Sequence, residues 1–279
     1  MNPLISVIMA MYNNFDFLPA AIESVQRQSI DDWELIIVDD GSADGSVELV
    51  EQWSEKDSRI KLLQMEQNAG AGAARDFGLQ RASGKYIAIF DADDICEPQR
   101  FERQLAFLEA HPDVVAVGTQ TVQIDTAGKR VGTKTFPTDP EALYRMMYTS
   151  IPIQLPTLMV NATLLPPGFD WFEGWRYSED SLLFFKLAHC GKIANLPDFL
   201  LKYRFYPGST SYRKAKTYFY KTWESRRIAK KQYGYEPSLR ARIVSGMQFI
   251  VVSCLPARCI PWVYKSIRRV MLLLSGHDT

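Results

Sequence analysis

Short apolar runs alternate with segments of helical spacing through the first 95 residues. Leu4–Ala10, Glu34–Val38, Arg59–Gln64 and Lys85–Phe90 are brief and rich in β-branched or aromatic residues. The second and fourth run into Leu35-Ile36-Ile37-Val38 and Tyr86-Ile87-Ala88-Ile89-Phe90 without polar alternation, which predicts strands buried on both faces. Between them, Phe17–Gln28 places Leu18, Ala21, Ile22 and Val25 at helical spacing, and Ser46–Ser54 and Ala71–Arg81 complete a β-α-β-α-β-α-β order. That order predicts a parallel sheet with right-handed crossovers.

The pattern loosens after Asp94. Pro98 opens a helix to about Ala110, with proline suited to a first turn. Val114–Val117 reads as a strand, Thr121–Thr135 as a hairpin around Thr126-Ala127-Gly128-Lys129, and Leu155–Val160 as a further strand. Ser178-Glu179-Asp180 opens a helix continuing through Leu182–His189, with acids placed well at its N-terminus. Phe199–Phe205 is a last strand, ending at Pro207-Gly208-Ser209. From Ser211 the character changes to basic and aromatic residues, then to the apolar Ile243–Leu255. The expected organisation is a domain over residues 1–211, in halves 1–95 and 96–211, followed by a basic and apolar helical extension over 212–279.

Composition narrows the function classes. The hydrophobic fraction of 47% supports a sizeable core. Lys+Arg and Asp+Glu both number 32, so there is no global electrostatic case for nucleic acid as a partner. Cys96, Cys190, Cys254 and Cys259 show no CxxC or zinc spacing, which fits a reduced, cytoplasmic chain. Met1-Asn2-Pro3-Leu4 leads straight into the first run without signal-peptide features, and no apolar stretch reads as a membrane span. The isolated His111, His189 and His277 give zinc chemistry little support.

Two acidic clusters carry the chemistry. Asp39-Asp40 follows the second strand and Asp91-Ala92-Asp93-Asp94 the fourth. Carboxylates at the C-terminal ends of parallel strands collect in the crevice where open α/β sheets bind ligands. Crowded carboxylates repel unless a cation joins them, and a divalent metal carrying a phosphorylated ligand meets that need. Spacing of i, i+2 puts Asp91 and Asp93 on one side of an extended segment. Asp40, beside Gly41, can accept a hydrogen bond from a nucleobase, which is favoured over an Asp-Gly turn that only caps the next helix; for Asp39 and Asp44 the two roles stay level. Asn68–Arg75 combines small residues, among them Gly70 and Gly72, with one cation at a helix start suited to phosphate. Arg75 is then open to three partners: a diphosphate, Asp40, or a purely structural ion pair.

These segments, taken in order, resemble family 2 glycosyltransferases, which have the GT-A fold: a Rossmann-like, mostly parallel α/β sheet flanked by helices. The resemblance rests on Ser6–Asn13, Val38–Ser42, Asn68-Ala69-Gly70 with Ala74-Arg75, Asp91–Asp94, Glu179-Asp180 and Tyr203-Arg204, and runs to about Ser211. It implies an inverting transfer of a sugar from a nucleoside-diphosphate sugar, UDP-linked above others, to a hydroxyl of a glycan or lipid-linked acceptor in surface polysaccharide synthesis. Asp40 would face the base, and Ala10, Tyr12, Arg75, Asp91 and Ala92 would complete the donor-nucleotide site, with Asp91 at the ribose. Asp93 and Asp94 would hold Mn²⁺ or Mg²⁺. Asp180, with Glu179 as second choice, would take the acceptor proton as general base. Many relatives carry a His after Tyr-Arg, where this chain has Tyr206, so a third protein metal ligand is in doubt and Arg204 and Ser209 become the candidates for the diphosphate. Trp171, Phe172, Trp175 and Tyr177 offer faces for sugar C–H surfaces, although packing is the commoner role of such groups.

Two other classes compete. A nucleotidyltransferase also uses acids on an α/β sheet, but would want a Gly-rich basic loop where Met11-Tyr12-Asn13-Asn14 stands. A catalytically inactive sugar-nucleotide-binding module would not need the full set of acids. In the extension, Ile243–Leu255 with Trp262-Val263-Tyr264, Arg258, Lys265, Arg268 and Arg269 suits peripheral contact with the inner membrane face, with dimerisation or a solvated helix face as the alternatives.

Overall fold

The computed structural model describes residues 2–172, 178–206 and 214–255. Its first half follows the sequence periodicity: β1 (Ile5–Met11), α1 (Leu18–Gln26), β2 (Trp33–Asp39), α2 (Ser46–Lys56), β3 (Ile60–Gln64), α3 (Ala71–Leu79) and β4 (Tyr86–Asp91). The second half contains β5 (Ile95–Cys96), α4 (Arg100–Ala110), β6 (Val114–Ile124), β7 (Arg130–Lys134), α5 (Pro140–Met146), β8 (Met159–Asn161), α6 (Glu179–Cys190) and β9 (Lys192–Arg204). Two helices close the described chain, α7 (Ala215–Gln232) and α8 (Leu239–Cys254).

The strands form one open sheet in the order β3-β2-β1-β4-β8-β6-β9-β5, with β7 attached to β6. β3, β2, β1 and β4 run parallel, as do β6 and β9. Antiparallel pairing enters where β8 joins β4 to β6, and where β5 and β7 are added. Because strand side chains alternate between faces, β1 sends Ile5, Val7 and Met9 into one core and Ile8 into the other. The first core is closed by α1, α2 and α4 through residues such as Ile22, Val50 and Phe101. The second is closed by α3, α5, α6 and α7 through Ala74, Leu143, Phe184 and Ala229. Gly78 lets α3 approach the sheet, since a Cβ there would lie 2.9 Å from Val38 Cγ2 and 3.1 Å from Ile8 Cγ2.

Several elements depart from the periodicity. β6 and β9 are longer than the apolar runs that announce them, because each supplies the other's ladder through residues with polar side chains, such as Gln123 opposite Tyr203. Leu155–Val160 divides into a 3-10 turn over Leu155–Thr157, with proline in its first positions, and the short β8. β5 and α5 have no periodic signal of their own length. Among the described residues, no helix is long and apolar enough to cross a membrane.

Candidate active site

The register of the parallel strands sets the site. Met11 lies opposite Asp39 and Ala10 opposite Asp91, so the ends of β1, β2 and β4 form one edge. Beyond it stand the half-buried Ala10, the exposed Tyr12, and the two acidic clusters. Asn13 turns the chain at φ 52°, an uncommon conformation for a residue with a side chain, and is held by Ser42 Oγ and by its own acceptance of the Ala43 N–H.

Asp39 and Asp40 have different work. Asp39 accepts the Gly41 and Ser42 N–H groups and thereby shapes the turn. Asp40 is buried and accepts the N–H groups of Ala69 at 2.7 Å and Gly70 at 2.9 Å, clamping the loop that leads into α3. Gly41 is required by its φ of 83° rather than by a close approach, since the nearest atom to a Cβ there would be 3.5 Å away.

Arg75 joins the two halves of the molecule. Its Nη2 donates to Asp91 Oδ1 at 2.7 Å and its Nη1 to Glu179 Oε1 at 3.4 Å. Of the partners open to it in the sequence, Asp40 is therefore not the one used: Asp40 is taken up by the loop amides, while the first turns of α3 carry position 75 toward β4 and α6. Burial disfavours the Arg75 charge, but Asp91 and Glu179 outweigh it and hold the group above its usual pKa.

Asp91, Asp93 and Asp94 bring carboxylate oxygens within 4.8 Å of one another. Burial, and then Asp91, raise Asp93 to about 6. Asp94 is fully buried and is raised well above the carboxylate range by burial and by both neighbours. One Asp94 oxygen accepts the Arg204 N–H at 2.8 Å, and the other has no hydrogen-bond partner. An orphaned buried oxygen within a knot of three hard carboxylate ligands is the donor set a divalent cation such as Mn²⁺ or Mg²⁺ takes. Tyr206 Oη donates to Asp93 Oδ2 at 3.4 Å, so a phenol stands beside this cluster. Arg204 spends its Nε on Asp93 O and its Nη1 on the carbonyls of Asp125 and Thr126, bracing the cluster from behind. Ser209, Trp175 and Tyr177 lie outside the described residues. Phe172 packs in the second core and Trp171 lies against it.

Glu179 and Asp180 form the first turn of α6. Burial, and then Glu179, raise Asp180 to about 6, while Arg75 and Lys134 pull it down. Ser178, just before this helix, makes no capping bond: it turns the chain at φ 53° and its Oγ meets Thr222 Oγ1 of α7 at 2.7 Å. That contact ties the entry of α6 to the C-terminal extension. Lys134 of β7, which no motif marks in the sequence, lies near enough to lower the Asp180 pKa while its Nζ donates to Gln154 Oε1 at 2.6 Å.

The model of a family described as glycosyl transferase family 2 matches residues 6–164. The chain belongs to that family. An uncharacterized glycosyltransferase of Methanocaldococcus jannaschii is 32% identical over 83% of this chain and 82% of its own length. The amylovoran biosynthesis glycosyltransferase AmsE of Erwinia amylovora is 29% identical over 72% of this chain and 76% of its own length. EpsE of Bacillus subtilis is 40% identical over 175 residues, but the matches with EpsE and TuaG of that organism span 60% and 42% of those relatives' lengths. Among solved structures, S. aureus TarS in complex with UDP-GlcNAc aligns with a TM-score of 0.68 at 21% identity over 88% of this chain and 70% of that one. A mannosyltransferase of Pyrobaculum calidifontis in complex with GDP-Man and Mn²⁺ aligns with a TM-score of 0.59 at 17% identity over 92% and 83%. At such identities the likeness speaks for the fold: the GT-A architecture, an open sheet flanked by helices, with a helical C-terminal extension.

Proposed function

We propose that this chain is a metal-dependent, inverting glycosyltransferase. It moves a sugar from a nucleoside-diphosphate sugar, UDP-linked in the favoured case, to a hydroxyl of a glycan or lipid-linked acceptor in surface polysaccharide synthesis. The observation that carries this reading is the Asp91–Asp93–Asp94 knot, with its unpartnered Asp94 oxygen at the C-terminal edge of the parallel strands. The relatives named for polysaccharide synthesis, and fold neighbours in complex with UDP-GlcNAc or GDP-Man, support the substrate class.

In this reading residues 1–211 are the catalytic unit. Ala10, Tyr12, Asp40, Arg75, Asp91 and Ala92 receive the nucleotide. Asp93 and Asp94 are the residues that would hold Mn²⁺ or Mg²⁺, and the chemistry such an ion supplies when bound is neutralisation of the departing diphosphate. Arg204 supports the diphosphate side through the backbone it braces, and Ser209 is a further candidate there. Asp180 is the general base: a carboxyl near pH 6 is ionised at neutral pH yet basic enough to accept a proton as a hydroxyl attacks. Glu179 is engaged by Arg75 and is the weaker candidate. The acceptor oxygen forms a bond to C1 as the C1–O bond to the diphosphate breaks, the hydroxyl proton passes to Asp180, and the anomeric centre inverts. The C-terminal extension keeps the enzyme at the inner membrane face, near a lipid-linked acceptor.

The test is a panel of UDP-, GDP- and dTDP-sugars offered to the full chain with and without Mn²⁺, reading donor binding and donor turnover. Asp180→Asn should keep donor binding and lose turnover by about 10²- to 10⁴-fold. Full turnover by Asp180→Asn, or no binding of any nucleotide sugar, overturns the reading.

A further inference from the structure

Helix α8 is built inside out. Its buried positions are Ala241, Ser245, Gln248 and Val252, a small and largely polar face. Arg226 of α7 donates from Nη1 to Ser245 Oγ at 2.9 Å and to Gln248 Oε1 at 3.0 Å, and Gln248 Nε2 donates to Thr149 O at 3.1 Å. The large apolar side chains point the other way: Leu239, Ile243, Met247 and Ile250 are 74%, 54%, 59% and 64% exposed. At about 100° per residue these four share one stripe, roughly opposite the buried face. An ordinary surface helix has the reverse arrangement.

Charge says what the stripe fits. Arg240 and Arg242 are exposed and flank it on either side, and α8 contains no Asp or Glu. Residues 214–255 carry nine Lys or Arg against two Asp or Glu, whereas residues 1–213 carry 19 against 29. The zero net charge of the chain thus conceals an acidic catalytic part and a strongly basic helical hairpin. A continuous apolar stripe with a basic margin is the pattern that lies in a lipid–water interface. A second copy docked stripe to stripe would bring two strongly basic hairpins together, at an electrostatic cost.

We infer that the outer face of α8 seats the protein on an anionic lipid bilayer, with Leu239, Ile243, Met247 and Ile250 entering the acyl boundary and Arg240 and Arg242 meeting headgroup phosphates. The inference deepens the proposed membrane contact, and it rests on that reading only for the lipid-linked acceptor that such docking would serve. The acidic catalytic part is repelled by the same surface, which orients the molecule with its hairpin toward the lipid.

Sedimentation of the full chain with vesicles tests the inference independently of catalysis. The native chain should bind phosphatidylglycerol/phosphatidylcholine vesicles at least about tenfold more tightly than pure phosphatidylcholine. The Ile243→Gln/Met247→Gln/Ile250→Gln variant should lose about tenfold or more of that binding, with donor turnover in solution unchanged. Arg240→Glu/Arg242→Glu should abolish the preference for the anionic vesicles. Equal binding by the native chain and the triple variant overturns the inference, as does failure of the native chain to bind either vesicle. A native dimer in solution that the triple variant makes monomeric, without vesicle binding, assigns the stripe to a second copy instead. Loss of donor turnover in the native chain would sink the proposed function while leaving the docking result standing.

Discussion

Arg75 and Glu179 meet at 3.4 Å although 104 positions separate them in the chain. Through this contact, and the 2.7 Å bond of the same guanidinium to Asp91, the helix that carries Asp180 is anchored to the strand end that carries the acidic knot. One buried cation thus links the donor side of the site to the proposed base.

That link predicts a pH effect. Arg75 pulls the Asp180 pKa down from where burial and Glu179 would put it, and the balance leaves it at about 6. With Asp180 as the proposed base the ionised form is the active one, so kcat/KM should fall as pH drops through about 6. Arg75→Met removes the downward pull and should move this acid limb to higher pH, costing about twofold at pH 7 for the first unit of movement and approaching tenfold for each unit beyond it. Arg75→Lys, which keeps the charge, should hold the limb nearer its native position. A pH–rate series on the three proteins decides, and an unmoved limb in Arg75→Met refutes the link. Arg75→Met should also lose stability, by about 2–4 kcal/mol, because the buried Glu179 and the half-buried Asp91 lose their partner.

The acidic knot predicts a conflict between function and stability. Asp93 is raised from 3.8 to about 6, so between about pH 4 and pH 6 the folded chain binds more protons than the unfolded one. Its stability therefore falls as pH rises through that window and stays lowered at pH 7.5. Asp93→Asn removes this penalty and should raise Tm by a few °C at pH 7.5 in EDTA, while abolishing sugar transfer. Mn²⁺ should raise the Tm of the native protein and leave that of Asp93→Asn unchanged. Thermal melts with and without Mn²⁺ read both effects, and an equal Mn²⁺ response in the two proteins contradicts the metal assignment.

Tyr206 is the third point of test. Its hydroxyl reaches Asp93 Oδ2 at 3.4 Å, and burial raises its pKa, so it acts as a donor to that carboxylate. Tyr206→His places a ring nitrogen near the knot and should tighten Mn²⁺ binding by calorimetry, whereas Tyr206→Phe should change it little. Weaker binding by Tyr206→His would show that the position faces away from the metal.

Gly78 predicts a purely structural cost. A Cβ at 2.9 Å from Val38 Cγ2 meets a β-branched side chain with little freedom to move. Gly78→Ala should therefore destabilise by about 1–3 kcal/mol, despite alanine's helix propensity. A urea melt measures it, and a more stable variant means that α3 can shift away from the sheet.

The elements most legible in the sequence were those whose signal is local. The apolar runs that became β1, β2 and β4, and the helical spacing of α1 and α3, specify themselves within ten or so residues. β5 and α5 carry too few periodic positions to announce themselves, and β6 and β9 are lengthened by pairing with each other rather than by their own composition. The apolar residues of α8 mark a surface suited to an interface, but which side of the helix turns inward was not legible, because Arg226 of α7 is what draws the Ser245 and Gln248 side in.

The sequence by itself determined that Asp39-Asp40 and Asp91–Asp94 follow strands of one parallel sheet and so gather at the same edge, because strand ends and the order of a β-α-β chain are properties of consecutive residues. Only the tertiary structure decided what each carboxylate meets. Asp40 meets the amides of Ala69 and Gly70, Asp91 meets Arg75, and Asp94 is left with a buried oxygen unpartnered. Those partners lie on α3 and the loop before it, 16 to 30 positions away, brought into place by the core that closes α3 on the sheet. Hydrogen bonding and ionisation depend on a few ångströms of separation and on burial, and neither is written in residue spacing.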